Sequence, residues 1–401
     1  MNNMNNMNYM NNMNNQINQN NINNHMNDFH NIQNCSEKSK FEKIIKQKEY
    51  PIYPHKTGSQ NLEHTSYMNS VIQCLSNIEY LSNYLIKHYG KFNIDKQPLS
   101  LAFSSVVYDL FTTEKKYIAT KIFKKIIGKL NPLFEGFHEV DPKYLLIFLL
   151  GKLYQELNKV NNLDQFYIDY TQLEKDSLDE NKSFQNFVKE YTKKNKSIIS
   201  ETFYGVIRST MKCNSCYQIK YSFQTFNLLI FQLKNVKEFL IKTYKCNNKY
   251  VLNIYDAFDF NNKHEFLKIY CKCCKGLRTG TYQKTIYSLP RVLILILNRG
   301  INNKDFNEEF IFPKQLDLSI GNYVINNKFN THFYLQSVIK NLGGPSGHFI
   351  TYCRNGPQED FICYNDSEVS KATVKEAMSS NISENINEKK IPYILVYHHM
   401  N

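Results

Sequence analysis

Apolar residues recur at helical spacing in the first half of the chain. Val71, Leu75 and Ile78 share one helix face, and residues 144–157 form a second, strongly apolar stretch of helical length. A charged segment at residues 163–200 interrupts the pattern and is predicted to be a solvated insertion with a short helix. The first part of the folded chain is therefore predicted to be mostly helical.

From Phe203 onward the pattern changes to that of β-strands. The run Val292–Leu297 is apolar at every position, which predicts a strand buried on both faces. Further runs of β-branched and aromatic residues predict strands at 221–233, 333–339, 348–353, 360–364 and 393–397. Helices followed by antiparallel strands predict an α+β fold.

The N-terminal residues have a different composition from the rest. About half of residues 1–34 are Asn, punctuated by Met, and Lys becomes frequent up to residue 50. Such sequence buries too little apolar surface to offset the entropy of ordering. We expect residues 1–50 to be a disordered tail and residues 51–401 to form the folded domain.

Charge and cysteine usage exclude several classes of function. Lys and Arg number 49 against 36 Asp and Glu, giving a formal charge of +13, but the excess is spread along the chain. No segment has the concentrated basic and aromatic pattern of a phosphate-tracking groove, so no specific nucleic-acid partner is expected. Neither a bilayer-spanning stretch nor a secretory signal is found, which predicts an intracellular protein, cytoplasmic and/or nuclear, with reduced thiols and no membrane partner.

Four of the ten cysteines have the spacing of metal ligands. Cys213 and Cys216 form one Cys-x-x-Cys pair, and Cys271 and Cys274 form a second. Two such pairs supply the tetrahedral thiolate set of a structural zinc, with no position left for a catalytic water. We therefore predict one structural zinc ion, with Cys273 as a spare thiol.

Two further segments carry candidate chemistry. Residues 58–75 read GSQNLEHTSYMNSVIQCL, and residues 343–352 read GGPSGHFITY, followed by Tyr-Asn-Asp at 364–366. Taken alone, the first is a capped helix start and the second a strand beginning with a packing histidine. Together with the Cys-x-x-Cys pairs between them, they resemble the nucleophile and histidine boxes of the ubiquitin-specific proteases.

The resemblance implies a fold and a set of catalytic positions. The fold is the papain-like architecture of thumb, palm and fingers, with a zinc-bearing β finger at about residues 203–290. Ser66 stands at the nucleophile position, where the family has cysteine, and His348 matches the general base. Asn365 matches the residue that orients the base, and Asn61 matches the amide that helps hold the oxyanion.

The resemblance also implies binding residues. Asp141 matches an acidic position that receives the basic tail of ubiquitin in the family. Gly343, Gly344 and Gly347 suit a loop that covers an extended peptide tail. Asp366 fits equally a turn-forming residue after a strand and a direct role in the site.

Three departures from the family pattern bear on activity. The family usually has Gly where Glu63 stands, often Asn where His64 stands, and an acidic residue where Tyr144 stands. Serine is also a far weaker acid than cysteine and needs a closely fitted base. We therefore favour a domain that binds ubiquitin, acts as a monomer and is catalytically impaired.

The alternative is an active deubiquitinase that hydrolyses the bond after ubiquitin's C-terminal glycine. In either case the expected partners are ubiquitin or ubiquitinated proteins.

Overall fold

The computed structural model describes residues 55–160, 179–247, 249–300, 306–325, 331–344, 347–356, 360–380 and 390–400. The tail expected at 1–50 lies outside these residues, as does much of the charged segment. The chain divides into two compact units. The first runs to Glu156 and takes in two later stretches, of which the described residues are 355–356 and 364–370, and the second contains the other described residues.

The first unit is helical, as the apolar spacing predicts. Its helices are α1 (Ser66–Ser76), α2 (Glu79–Lys87), α3 (Pro98–Thr112), α4 (Lys121–Leu130) and α5 (Pro142–Leu157), with α5 ending at the border of the unit. Two short parallel strands, β1 (Gly58–Ser59) and β2 (Tyr117–Ile118), join its edges. Every residue of α1 is buried, so this helix lies within the core of the unit.

The second unit begins with two helices and continues mainly as strands. The helices are α6 (Glu180–Lys194), α7 (Ile198–Phe203), α8 (Leu233–Tyr244), α9 (Ile254–Asn261) and α10 (Val374–Met378). The strands are β3 (Gly205–Cys213), β4 (Ile219–Phe226), β5 (Leu229–Gln232), β6 (Leu252–Asn253), β7 (Glu265–Cys271), β8 (Gly276–Ser288), β9 (Val292–Asn298), β10 (Phe310–Ile311), β11 (Gln315–Asp317), β12 (His332–Leu342), β13 (His348–Arg354), β14 (Phe361–Asn365), β15 (Glu368–Ala372) and β16 (Lys390–His399).

The largest sheet has the strand order β15-β14-β13-β12-β16-β9-β5, with β11 added on β12. Strand β9 is buried from Val292 to Leu297, which confirms the interpretation of its continuous apolar run. It pairs antiparallel with β16 and parallel with β5, so the sheet is mixed. The chain returns to the first unit from Tyr364, near the end of β14, to Ser370, within β15, so each of these two strands has residues in both units.

A separate four-stranded sheet, which we call the finger, has the order β4-β3-β8-β7 and antiparallel pairing throughout. The paired cysteines lie at its end, where β3 and β7 finish. Helix α6 covers part of one face near β4: Phe184 packs on Phe223, and Arg208 forms an ion pair with Glu180 at 2.8 Å.

Two expectations from the sequence are wrong in detail. The strand predicted at 221–233 is divided, because β4 belongs to the finger and β5 to the large sheet, and Leu233 already begins α8. The purely antiparallel pairing is also wrong, since β5 and β9 run parallel. Helices α8, α9 and α10 were not predicted from the sequence.

The mixed helix and sheet composition itself is as predicted. No helix among the described ranges combines the length and the apolar character that crossing a membrane requires.

Candidate functional site

Ser66 is the first residue of α1 and is 8% exposed. The preceding residue, Thr65, occupies the N-cap position but makes no side-chain cap. Its hydroxyl accepts a hydrogen bond from the Leu62 amide at 2.8 Å, and its own amide donates to Asn61 Oδ1 at 3.1 Å. The turn before the helix is thus closed by its own side chains, and the helix start is left without the ordinary Thr cap.

The turn at residues 63–64 has an unusual backbone conformation. Glu63 has a φ of 67° and His64 a φ of 48°, so two consecutive residues are left-handed. Gly adopts this region without penalty, Asn tolerates it, and other L-residues are strained there. This geometry gives a physical reason for the Gly and Asn that the family prefers. His64 is exposed, and its Nδ1 lies 3.4 Å from Glu139 Oε1.

Asp366 connects the turn and the helix. Its Oδ2 accepts from Asn61 Nδ2 at 2.8 Å, and its Oδ1 accepts from Asn69 Nδ2 at 2.8 Å. Its backbone oxygen accepts from the Ser59 amide, also at 2.8 Å. A Cβ at Gly58 would lie 2.6 Å from that same oxygen, so only glycine fits there. Asp366 has a φ of 52°, which suits a turn residue, and its side chain also clamps the start of α1, while a direct role in the site stays a prediction.

Asn69 was not singled out from the sequence. It is 2% exposed, and besides Asp366 its amide contacts the backbone oxygens of Ser59 and Gln60 at 3.3 and 3.2 Å. One turn later, Gln73 donates to the Thr57 oxygen at 3.1 Å. Asn69 and Gln73 lie at i and i+4 on a helix that otherwise has only apolar residues, a tyrosine and serines, and these two amides were the available signal, because buried polar side chains need partners.

The predicted oxyanion residue, Asn61, is exposed, and its amide nitrogen already donates one hydrogen bond, to Asp366. An Asn side chain carries two N–H donors, so this bond orients the amide and leaves its second hydrogen for another acceptor. The role of Asn61 at an oxyanion stays a prediction.

His348 begins β13 and is paired with Leu342 of β12. The chain reaches it through a glycine turn: Gly343 and Gly344 have φ values of 86° and 98°. A Cβ at Gly347 would lie 1.8 Å from the Leu342 oxygen, so the residue before His348 has to be glycine. The observed reason for these glycines is backbone geometry, and their role in covering a peptide tail stays a prediction.

The catalytic positions are divided between the two units. Ser66, Asn61, Asn365 and Asp366 belong to the first unit, and His348 belongs to the second. Asn365 is the last residue of β14, directly before the clamping Asp366. Their roles in catalysis stay predictions.

Asp141 begins α5. Its Oδ1 accepts from the Lys143 amide at 2.9 Å, and its Oδ2 lies 2.7 Å from Lys143 Nζ. These contacts are those of a helix N-terminus, and they place a cation beside the carboxylate predicted to receive a basic peptide. Tyr144, where the family is acidic, is 42% exposed.

At the end of the finger, the sulfur atoms of Cys213, Cys216, Cys271 and Cys274 all lie within 4.8 Å of one another. The Cys216 and Cys271 sulfurs are 3.5 Å apart. Tetrahedral coordination at the usual zinc–sulfur length places sulfurs about 3.8 Å apart, so the four thiols fit such an ion. In the sequence, only spacing indicated that Cys274 and not Cys273 is a metal ligand. The structure places Cys274 in the cluster, and Cys273 is exposed.

The two cysteine turns have the same backbone form. The residue after each second cysteine, Tyr217 or Lys275, is left-handed, with φ values of 60° and 49°. The amide of Tyr217 donates to the Cys213 oxygen at 2.9 Å, and the Cys274 amide lies 3.5 Å from Cys271 Sγ. Two matching turns that direct four thiols to one point are typical of a closed, structural metal site.

Comparisons with known proteins extend over most of the chain. A family model described as Ubiquitin carboxyl-terminal hydrolase matches residues 57–397. Usp2 of Drosophila melanogaster, a ubiquitin carboxyl-terminal hydrolase, is 25% identical over 346 residues, which is 85% of this chain and 34% of that protein. Human ubiquitin carboxyl-terminal hydrolase 15 is 29% identical over 199 residues, which is 48% of this chain and 20% of that protein. The chain thus spans about a third or less of these relatives.

Solved structures show the same fold. The SAGA DUB module Ubp8/Sgf11/Sus1/Sgf73 bound to monoubiquitin gives a TM-score of 0.64 at 18% identity, covering 91% of this chain and 74% of that one. The same module bound to ubiquitin aldehyde gives 0.62 at 19% identity, covering 90% and 74%.

Proposed function

Since the chain belongs to the ubiquitin carboxyl-terminal hydrolase family, we propose that it is a ubiquitin-specific protease-like domain that binds ubiquitin and is catalytically impaired. The observation that carries the proposal is the identity of the first residue of α1. That helix lies inside the matched range 57–397 and begins with Ser66, which the resemblance of residues 58–75 to the family's nucleophile box puts at the position of the cysteine.

The chemistry of the two nucleophiles supports impairment. A thiol near a helix N-terminus is readily deprotonated, because the dipole and the N–H groups of the first turn favour the thiolate. A serine hydroxyl gains much less, since its own acidity is far lower and it depends on a closely fitted general base. A site shaped for a cysteine–histidine pair should therefore lose most of its rate with Ser66.

Other features support retained binding. The clamp made by Asn61, Asn69 and Asp366 holds the start of α1 with hydrogen bonds of 2.8 Å. The glycine turn before His348 has the backbone form that requires its glycines. The proposal is therefore loss of the reaction with conservation of the binding framework.

A structural metal belongs to this proposal. Cys213, Cys216, Cys271 and Cys274 would hold one zinc ion, and the ion would supply a cross-link between the β3 and β7 ends of the finger. It would take no part in hydrolysis.

Binding is tested by calorimetric titration of the chain with monoubiquitin and with short ubiquitin chains. We expect measurable heat with at least one of them. Absence of binding to every ligand at high micromolar protein would contradict the proposal.

Impairment is tested with a fluorogenic ubiquitin conjugate and a ubiquitin probe carrying a thiol-reactive group. The parent chain should neither cleave nor label, while Ser66→Cys should label and cleave, because the proposed base and oxyanion residues are still present. The parent is a matched control for stray thiols, since it keeps all ten native cysteines. His348→Ala in the Ser66→Cys chain should abolish cleavage.

The alternative, an active serine hydrolase, makes the opposite prediction. Ser66 Oγ would attack the carbonyl carbon of ubiquitin's last glycine and pass its proton through His348 to the departing amine. Water would then release the acyl group. Cleavage by the parent that is lost in His348→Ala would establish this alternative and refute impairment.

A further inference from the structure

In the part of the chain that the structure describes, one face of the finger is exposed at β7 and β8 and carries large apolar side chains there. Phe266 is 75% exposed, Tyr270 is 62% exposed and Leu277 is 66% exposed. The strand register pairs Tyr270 with Leu277 and Lys268 with Thr279, so these side chains project from the same face of β7 and β8. Single exposed apolar residues are ordinary, whereas Tyr270 and Leu277 are direct cross-strand neighbours and Phe266 lies four positions from Tyr270 on the same face, which together indicate an interaction site. We call this group, Phe266, Lys268, Tyr270, Leu277, Thr279 and Thr281, the distal finger face.

The distal finger face continues a surface that is already used for packing. Helix α6 covers the same side of the sheet near β4, where Phe184 contacts Phe223 and Glu180 contacts Arg208. The strand register from β4 through β3 and β8 places Phe266, Lys268 and Tyr270 of the edge strand β7 on this same side of the sheet. This side of the sheet is therefore packed against α6 at the β4 edge, whereas its apolar side chains are exposed at the β7 edge.

Strand β7 also offers its backbone. It pairs with β8 on one side, and no strand among the described residues pairs with its other edge. An edge strand presents N–H and C=O groups that an added strand satisfies, while the pockets between alternate side chains select the sequence. The distal finger face and the open edge are thus two parts of one binding surface for an extended chain.

Charge identifies the occupant. Among the basic side chains of residues 263–278, Lys268 lies on the distal finger face, whereas Lys263 is paired with Glu265 at 3.3 Å and Arg278 lies on the other face by register. Lys268 lies at the middle of β7, between the two exposed aromatic residues. A peptide strand added to β7 therefore faces Phe266, Lys268 and Tyr270 in turn. The complementary peptide has an apolar, an acidic and an apolar residue at its own positions i, i+2 and i+4.

The same lysine argues against a second copy of this chain. Self-pairing of two β7 edges centred on residue 268 sets Lys268 against Lys268, and like charges directly opposite each other destabilise a sheet. We propose that the edge of β7, with the distal finger face, binds an acidic peptide segment of a partner protein by strand addition. This surface goes beyond the ubiquitin binding and hydrolysis proposed above.

The test uses the full chain and labelled peptides followed by fluorescence anisotropy. The probe has the core Val-Thr-Glu-Thr-Val between flanking aspartates, and its control has Lys in place of the central Glu. We expect the Glu peptide to bind about three- to tenfold more tightly, because the exchange of Glu for Lys replaces an opposite-charge pair with Lys268 by a like-charge pair. Methylation of the backbone nitrogens of the Glu peptide should abolish binding, because strand addition needs them.

Protein variants locate the site. Lys268→Glu should reverse the preference between the two peptides, whereas Lys284→Glu, an equal charge change at a register position on the other face, should keep it. Phe266→Ser should weaken the Glu peptide at least about tenfold, while Tyr244→Ser, which changes an exposed aromatic residue outside the finger, should not. Because Phe266 and Lys268 are exposed, both variants are expected to fold like the parent, which circular dichroism checks.

Three outcomes would overturn the proposal. The first is equal binding of both peptides, or loss of preference in Lys284→Glu, which would mean unspecific charge attraction. The second is that oligo(dT) binds more tightly than the Glu peptide and that Phe266→Ser and Lys268→Glu both weaken this binding. The surface would then be a nucleic-acid binding site. The third is dimerisation of the parent in sedimentation that Phe266→Ser removes. Ubiquitin binding is read separately, so failure here leaves the proposed function standing.

Discussion

Replacing Asp366 should loosen the start of the nucleophile helix by an amount that the structure allows us to estimate. The carboxylate accepts from Asn69 and Asn61 at 2.8 Å each. Hydrogen bonds to a charged acceptor contribute about 1.5–3 kcal/mol when buried, and much less when exposed. Asn69 is buried and Asn61 exposed, so the Asn69 bond dominates. Because Asn69 keeps its weaker contacts to two backbone oxygens, we expect a total loss of about 2 kcal/mol.

Two variants separate the hydrogen bonds from the backbone. Asp366 has a left-handed φ of 52°, which Asn and Gly both tolerate. Asp366→Gly removes both acceptors and should cost the full ~2 kcal/mol, while Asp366→Asn keeps one neutral acceptor and should cost about half of that. Ala would add backbone strain and is unsuitable as a control.

The assay is native-state hydrogen exchange of the α1 amides, combined with urea unfolding followed by circular dichroism. Exchange reports the local free energy of opening, which matters because two units need not unfold together. In the Ser66→Cys chain, the same substitutions should slow labelling by the ubiquitin probe. If Asp366→Gly and Asp366→Asn both leave α1 exchange within about 0.5 kcal/mol of the parent, the clamp does not hold the helix start and this reasoning fails.

Three further predictions concern separate parts of the chain. Metal analysis should find one zinc per chain, and Cys213→Ser should lose it and destabilise the finger, whereas Cys273→Ser should keep it; a Cys213→Ser chain with unchanged zinc would contradict the assignment. Glu63→Gly should raise the free energy of unfolding in urea by about 0.5–1 kcal/mol by relieving left-handed strain, and an unchanged or lower free energy would refute that explanation. Burial lowers the pKa of His55 from 6.5 to about 3, so the folded state binds fewer protons than the unfolded chain between these values, and stability should fall as the pH falls below about 6.5. His55→Gln should reduce this loss of stability at low pH, whereas the control His138→Gln, at an exposed position, should leave it unchanged. An equal loss of stability in the two variants would exclude His55 as the cause.

The sequence predicted the elements whose pattern is local. The apolar spacing of α1 and α5 and the continuous run of β9 correspond to structure that a few neighbouring residues decide. Helix α8 was missed because it follows β5 without a break, and its buried residues Leu233, Val236 and Leu240 are few. The break between β4 and β5 depends on which sheet each strand joins, which is a property of the whole fold.

The candidate site divides in the same way. Cysteine spacing predicted a metal cluster because the ligands come from two short turns, each complete in itself. The contact of Asp366 with Asn61 and Asn69 joins residues about 300 positions apart, 305 for the first pair and 297 for the second. No local pattern specifies such a contact, and the sequence accordingly left the role of Asp366 open.

The clamp gives the proposed exchange of the nucleophile a physical basis, because it holds the start of α1 without using the side chain at position 66. The turn before α1 is held by side chains that flank position 66, chiefly Asn61, Thr65 and Asn69, and by Asp366 from a distant turn. Serine is close to cysteine in size, so the exchange at a buried helix start changes the acidity of the group far more than its packing. Selection for hydrolysis acts on that acidity, whereas selection for folding and binding acts on the clamp. A domain that needed only to bind ubiquitin would therefore be free to carry Ser66 and a strained Glu63 while Asp366 and its partners stayed in place.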